Sequence, residues 1–361
     1  MLRSQLKKVL QTFCPSAPTT DPSKFVGREQ ECSDLAKALL APGRHAVVFG
    51  DRGVGKTSTA RYVAESICKS DDLKFIEYQC GTYDTYSDIA SKILGGFGQL
   101  SVTTKKTDSH EQMMTGAVKA VIAAGELHSK RTETTESTDL IQANLTADHL
   151  ASYLKGFGGI VLLDEFDRIK DERTKGFLAE LFKALSNYRS PLKFILCGVS
   201  NTSADLIGAH ESMYRNLKPV RIPYMPNSEL RKIINDGLAE LSLGFSSGLR
   251  ESIVWLSCGL PYFTHLLCEE LATCAVTNNQ RSLGLSDLRM GAQSALRNIA
   301  DGVEAEYRHA TSYAPTVDMI FGGHQLSPTP SRVKRYVIHA VALTAANNGS
   351  RPLEWCKTRG L

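Results

Sequence analysis

Gly50-Asp51-Arg52-Gly53-Val54-Gly55-Lys56-Thr57-Ser58 is the stretch that decides the fold of this chain. It follows the apolar run His45-Ala46-Val47-Val48-Phe49 and precedes helix-forming residues, which gives the order strand, glycine loop, helix. Glycines at 50, 53 and 55 let the backbone take positive φ, so that successive N–H groups and the N-terminus of the next helix face one point. Such a concavity binds phosphate. Lys56 reaches β- and γ-phosphate oxygens as a point charge, and the Thr57 hydroxyl ligates magnesium. Residues 50–58 are therefore read as a cradle for ATP with Mg2+.

A second element completes the first. Ile160-Val161-Leu162-Leu163-Asp164-Glu165 is an apolar strand ending in two carboxylates. Asp164 is placed to hold the metal with Thr57, and Glu165 to orient or polarise an attacking water. The alternative for this pair is an acidic turn after a buried strand, which the preceding loop disfavours.

The bulk numbers bound the rest. With 361 residues, 42% hydrophobic and 22% charged, the chain is long enough for two domains and ordinary for a globular protein. No apolar run approaches the roughly 20 residues of a membrane span, so no membrane partner is expected. Nine cysteines fall in no Cys-x-x-Cys or Cys/His ligand spacing, and Cys197, Cys258 and Cys268 sit in apolar stretches. They are expected to be reduced, packed thiols in a cytoplasmic protein. Arg3, Lys7 and Lys8 open the chain without acids, as either a transit-peptide start or a solvated arm, and Pro15, Pro18 and Pro22 suit an extended arm.

The net charge of +4 is uneven. From 324 to 361 the bases Arg332, Lys334, Arg335, Arg351, Lys357 and Arg359 face the single acid Glu354, which leaves this tail at +5 and the remainder at −1. A basic tail is either an electrostatic footprint for DNA or a solvated face.

Along the chain, residues 29–40 have helical spacing closed by Ala41-Pro42-Gly43, 57–68 form the helix after the phosphate loop, and 73–80 a second strand. Strand, helix and strand in this order predict a parallel sheet. Residues 101–146 are a polar insertion with a candidate helix at 111–124, and Thr146 caps a helix to Lys155. A helix over 175–188, a strand over 191–199 and a strand ending at Ile222 follow. After Pro226 the character turns helical: Ser228 caps 229–241, then come 249–257 and 261–277. Beyond 302, helices are expected near 304–311 and 331–346. The organisation read from this is an N-terminal arm (1–24), a nucleotide-binding core (25–222), a helical lid (223–300) and a basic C-terminal segment (301–361).

In this order of elements the chain resembles the AAA+ P-loop ATPases, in the branch of origin-recognition and related archaeal and bacterial signalling ATPases. Four further stretches carry the resemblance. Phe25-Val26-Gly27-Arg28-Glu29 is similar to the box lining the adenine pocket, which assigns Val26, Gly27 and Arg28 to the nucleotide. Gly198-Val199-Ser200-Asn201 is similar to the strand end bearing the first sensor, with Asn201 near the γ-phosphate. Arg215 lies where such proteins place an arginine that reaches a neighbouring subunit's ATP, and Gly259-Leu260-Pro261 resembles a lid motif of signalling ATPases. The resemblance covers about residues 25 to 300. It implies an α/β fold, a parallel-sheet P-loop NTPase with an αβα core followed by a small helical lid.

One departure is plain. Many members carry a second-sensor arginine on the lid helix, and Pro261-Tyr262-Phe263-Thr264-His265-Leu266 has none; His265 is either a packed core residue or a polar substitute. Members often carry a winged helix after the lid; the basic segment of about sixty residues here is expected to be an incomplete partner- or DNA-binding module.

The resemblance implies an ATP-hydrolysing molecular switch that works as a homo-oligomer on DNA or a protein partner, with Glu165, Lys56, Asn201 and Arg215 as catalytic residues. The competing expectation is a nucleotide-dependent adaptor or scaffold with negligible hydrolysis. A GTPase is disfavoured because no Asn-Lys-x-Asp motif follows, and a small-molecule kinase would not predict the helical second part.

Overall fold

The computed structural model describes residues 2–15, 22–98, 146–200, 202–203, 206, 215–288, 291 and 294–295. Two compact units emerge: Arg28–Arg52 with Lys56–Ile222, and Met1–Gly27 with the loop tip Gly53–Gly55 and Pro223 onward. Asn201, the 101–145 part of the insertion and the expected helices at 111–124, 304–311 and 331–346 lie outside the described residues.

The first of these units is built on a five-stranded sheet. Strands β1 (His45–Gly50), β2 (Lys74–Gln79), β3 (Gly159–Asp164), β4 (Leu192–Val199) and β5 (Leu217–Arg221) pair in the order β2-β3-β4-β1-β5. Every pairing is parallel. Parallel strands covered on both faces read as unbroken apolar runs, and β1 and β3 are buried at all six positions. Successive side chains alternate faces. Val47, Phe49, Val161, Leu163, Phe194 and Leu196 share one core with helices α4 (Tyr86–Gly96), α5 (Ala147–Leu154) and α6 (Glu172–Asn187). The alternate residues Val48, Ile160, Leu162, Ile195 and Cys197 are equally buried on the other face. There α3 (Lys56–Ser70) packs on β1, β3 and β4, with α2 (Glu29–Leu40) beside it.

Helix starts follow local chemistry. Asp171 caps α6 by accepting from the Arg173 and Thr174 N–H groups at 3.2 and 3.1 Å, and Thr146 caps α5 through His149 N–H at 3.2 Å. Helix α6 thus starts three residues earlier than its apolar spacing suggested. Helix α4 has no counterpart in the sequence reading, although Thr85 and Asp88 form a capping box that announces it.

The other unit is helical. It contains α1 (Leu2–Thr12), α7 (Asn227–Leu241), α8 (Ser247–Ser257), α9 (Pro261–Thr277) and a two-stranded parallel pair, β6 (Gly244–Phe245) with β7 (Ser282–Leu283). The α7 start corrects an expectation: Pro226 occupies the cap position and Ser228 lies inside the helix. At the α8–α9 junction Cys258 (φ 46) and Gly259 (φ 79) are both left-handed, and Pro261 opens α9 where its missing N–H costs nothing. Cys258 is exposed, against the expectation of a packed thiol.

The N-terminus also departs from expectation. In place of a solvated arm, α1 is an amphipathic helix packed on α7 and α9. Val9 and, just beyond the helix, Phe13 are fully buried; Phe13 lies over Gly237 and meets the His265 ring edge-on at 6.1 Å. Lys8 Nζ donates to the Glu240 carbonyl at 2.6 Å, and Lys24 pairs with the Glu240 carboxylate at 3.0 Å.

Candidate nucleotide site

The phosphate loop leaves β1 at its C-terminal end. Gly53 and Gly55 take φ of 82° and 95°, and a Cβ at Gly55 would meet nothing within 4 Å. The requirement at 55 is therefore conformational, since left-handed backbone strains any other residue. Lys56 opens α3 and its ammonium donates to the Asp51 carbonyl at 2.8 Å. The side chain is folded back along its own loop. Asp51 and Ser58 are half-buried, Arg52 is exposed, and Val54 is buried.

Thr57 and Asp164 meet across 107 positions of sequence. The Thr57 hydroxyl is 3.1 and 3.0 Å from the two Asp164 carboxylate oxygens, because the parallel strands β1 and β3 flank β4 and both end at the same edge of the sheet. Burial pushes the Asp164 carboxyl above the usual carboxylate range, while hydrogen bonds from Cys197, the Glu165 N–H and Thr57 oppose that rise. A buried carboxylate beside a hydroxyl is a hard-oxygen donor set that suits magnesium, and the glycine loop beside it suits phosphates. The residues present thus fit a nucleotide with its magnesium.

Glu165 follows Asp164 in left-handed backbone, φ 52°. Its carboxylate pairs with Arg168 Nη1 at 2.6 Å, with both side chains substantially exposed. Between them lies a single 3-10 turn, Phe166–Arg168, whose Phe166 is anchored in the core. Asp167 in that turn accepts the Val199 N–H at 2.9 Å. Sequence reasoning passed over Asp167 and Arg168, although Asp-Glu-Phe-Asp-Arg is an unusual density of charge directly after a buried strand. It also placed Cys197 among packed thiols; that residue is buried and hydrogen-bonded with Asp164 and Thr57.

Arg215 is not brought to this edge. It lies exposed in the turn before β5, and Leu217 of β5 pairs with His45, the first residue of β1. A six-residue strand spans about 20 Å, so Arg215 sits at the sheet edge opposite the phosphate loop of its own chain. At the entry to α2, Gly27 and Arg28 are both left-handed, at φ 71° and 66°, and Val26 and Arg28 are buried. His265 is half-buried, with its ring edge-on to Phe13, and desolvation lowers its pKa to about 4, so it is neutral near pH 7.

These features define a parallel-sheet P-loop fold with a candidate nucleotide site at the C-terminal edge of its strands. Residues 41–204 match the AAA domain family model. A Walker-type ATPase of Pyrococcus abyssi superposes with a TM-score of 0.55 at 15% identity, covering 90% of this chain and 91% of that one. Cdc6p of Pyrobaculum aerophilum gives 0.54 at 14%, with 97% and 90% covered. The Aeropyrum pernix ORC1 protein, solved in complex with DNA, gives 0.53 at 15%, with 98% and 88% covered. No curated protein matches the sequence. Among the described residues no helix is long and apolar enough to cross a membrane.

Proposed function

We propose that this chain hydrolyses ATP as a molecular switch whose assembly with further copies follows its nucleotide state. The observation that carries the reading is the Thr57–Asp164 pair beside the glycine loop. Lys56 and the loop N–H groups hold the phosphates, Thr57 and Asp164 hold Mg2+, and Glu165 orients the attacking water. Magnesium, when bound, neutralises charge on the phosphate oxygens. Val26, Gly27 and Arg28 are assigned to the adenine side, and Asn201 to the γ-phosphate.

The position of Arg215 supports assembly. An arginine at the far edge of its own sheet acts on ATP only if a second copy presents it, and such an arginine is worth about 10³ to 10⁵ in rate. The output is DNA or a protein partner, and the basic tail with Arg332, Lys334 and Arg335 is the DNA candidate. The chain is assigned to the cytoplasm.

The test is ATPase activity with and without DNA, alongside particle size with a slowly hydrolysed ATP analogue. Turnover abolished by Glu165→Gln with ATP affinity retained supports the switch. Monomers in every nucleotide state remove the role of Arg215, and DNA affinity that ignores salt removes nucleic acid. The Glu165–Arg168 pair favours one second reading, an adaptor that binds ATP and barely turns it over; a wild type inactive with and without DNA selects it.

A further inference from the structure

Asp167 lies in the turn that follows the acidic strand end, yet its side chain serves neither that turn nor the proposed metal site. Its Oδ1 accepts the N–H of Val199, the last residue of β4, at 2.9 Å. The two residues are 32 positions apart and belong to neighbouring strands' ends, β3 and β4. The approach is tight enough to dictate a second residue. A Cβ on Gly198 would stand 2.9 Å from Asp167 Oδ1, 3.2 Å from Asp167 N and 2.5 Å from the Leu206 side chain, so only glycine lets the turn lie against the strand backbone.

The consequence is mechanical. Glu165 begins the turn that Asp167 pins, and β4 carries Cys197, which hydrogen-bonds with both Thr57 and Asp164. Phe166, buried between Glu165 and Asp167, fixes the other side of the turn. A carboxylate accepting a strand-end N–H forms a charge-assisted bond, stronger than a neutral one and direction-specific. We infer that Asp167 is a positioning residue for hydrolysis: by tying the Glu165 turn to the end of β4, it sets the Glu165 carboxylate relative to the Thr57–Asp164 pair. The inference rests on the reading of Glu165 as the hydrolytic carboxylate.

The tie makes distinct demands on each substitution. Asn at 167 keeps an oxygen that accepts from Val199, whereas Ala leaves that N–H without its partner and frees the turn. Small misplacements of a reacting group cost up to about a hundredfold in rate without touching substrate affinity. The experiment measures kcat and KM for ATP, fluorescent-ATP affinity and thermal midpoint in the full chain for wild type, Glu165→Gln, Asp167→Asn and Asp167→Ala. Expected are a kcat for Asp167→Ala lower by on the order of tenfold to a hundredfold, KM and nucleotide affinity near wild type, and rescue by Asp167→Asn. If Asp167→Ala does not fold, Asp167→Ser, which admits a water to the Val199 N–H while breaking the direct tie, supplies the same comparison. Wild-type kcat in a folded Asp167→Ala or Asp167→Ser, or a loss shared equally by Asp167→Asn, overturns the positioning role while leaving Glu165 intact. Absence of turnover in the wild type, or turnover indifferent to Glu165→Gln, overturns the proposed function and this inference with it.

Discussion

The Glu165 carboxylate is held 2.6 Å from Arg168 Nη1, one turn further along the same chain. A water-activating carboxylate in that pair shares its lone pairs with a guanidinium, which withholds them from an attacking water. Both side chains are exposed, so water screens the pair and its hold on Glu165 is weak. Arg168→Ala should therefore raise basal ATP turnover, by about fivefold at most, with unchanged ATP affinity. Steady-state ATPase assays check this, and a fall in turnover would mean that Arg168 assists Glu165 instead of restraining it.

Asp164→Asn keeps the shape of the Thr57 contact and removes the charge that suits a divalent ion. Nucleotide affinity measured in EDTA should be unaltered, and the gain on adding magnesium should disappear. Turnover should fall on the order of a hundredfold or more. Titrations with a fluorescent nucleotide at varied magnesium decide it: an undiminished magnesium response would remove Asp164 from the metal site.

Phe13 fills the space over Gly237, where no other side chain fits without displacing the ring: a Cβ on Gly237 would stand 2.3 Å from Phe13 Cζ. Phe13→Ala should cost about 3–5 kcal/mol of the stability of the helical unit. Thermal or urea unfolding followed by proteolysis of α1 would show it. A variant with wild-type stability would return the N-terminus to the status of a loose arm.

His265 gives a pH signature with a definite sign. Its folded pKa is about 4, lowered by burial, against about 6.5 for an unfolded histidine, so the unfolded chain binds the extra proton first. Stability is fully present above pH ~6.5 and is lost progressively as pH falls toward about 4, amounting to about 3 kcal/mol. His265→Leu, which removes the titrating ring, should flatten that part of the stability profile. An unchanged slope in chemical denaturation from pH 7 to pH 4 would assign the effect to other groups.

The phosphate loop at residues 50–58, the acidic end of β3 at Asp164 and Glu165, and the succession of strands and helices that make a parallel sheet are legible in the chain's residues alone. These are local signals: glycine spacing, apolar runs, proline and turn residues act within a few positions. Where caps were recognised, as at Thr146, the boundary was legible; where they were not, as at Thr85 and Asp171, helix α4 was missed and α6 was placed three residues late. What the tertiary structure alone decided depends on register between strands far apart in sequence. It put the Thr57 hydroxyl on Asp164, the Asp167 carboxylate on the end of β4, and Arg215 at the opposite edge of the sheet from its own phosphate loop. It also turned an arm of unremarkable composition into a helix buried through Val9 and Phe13, because an amphipathic stripe has no meaning until α7 and α9 supply the surface it covers.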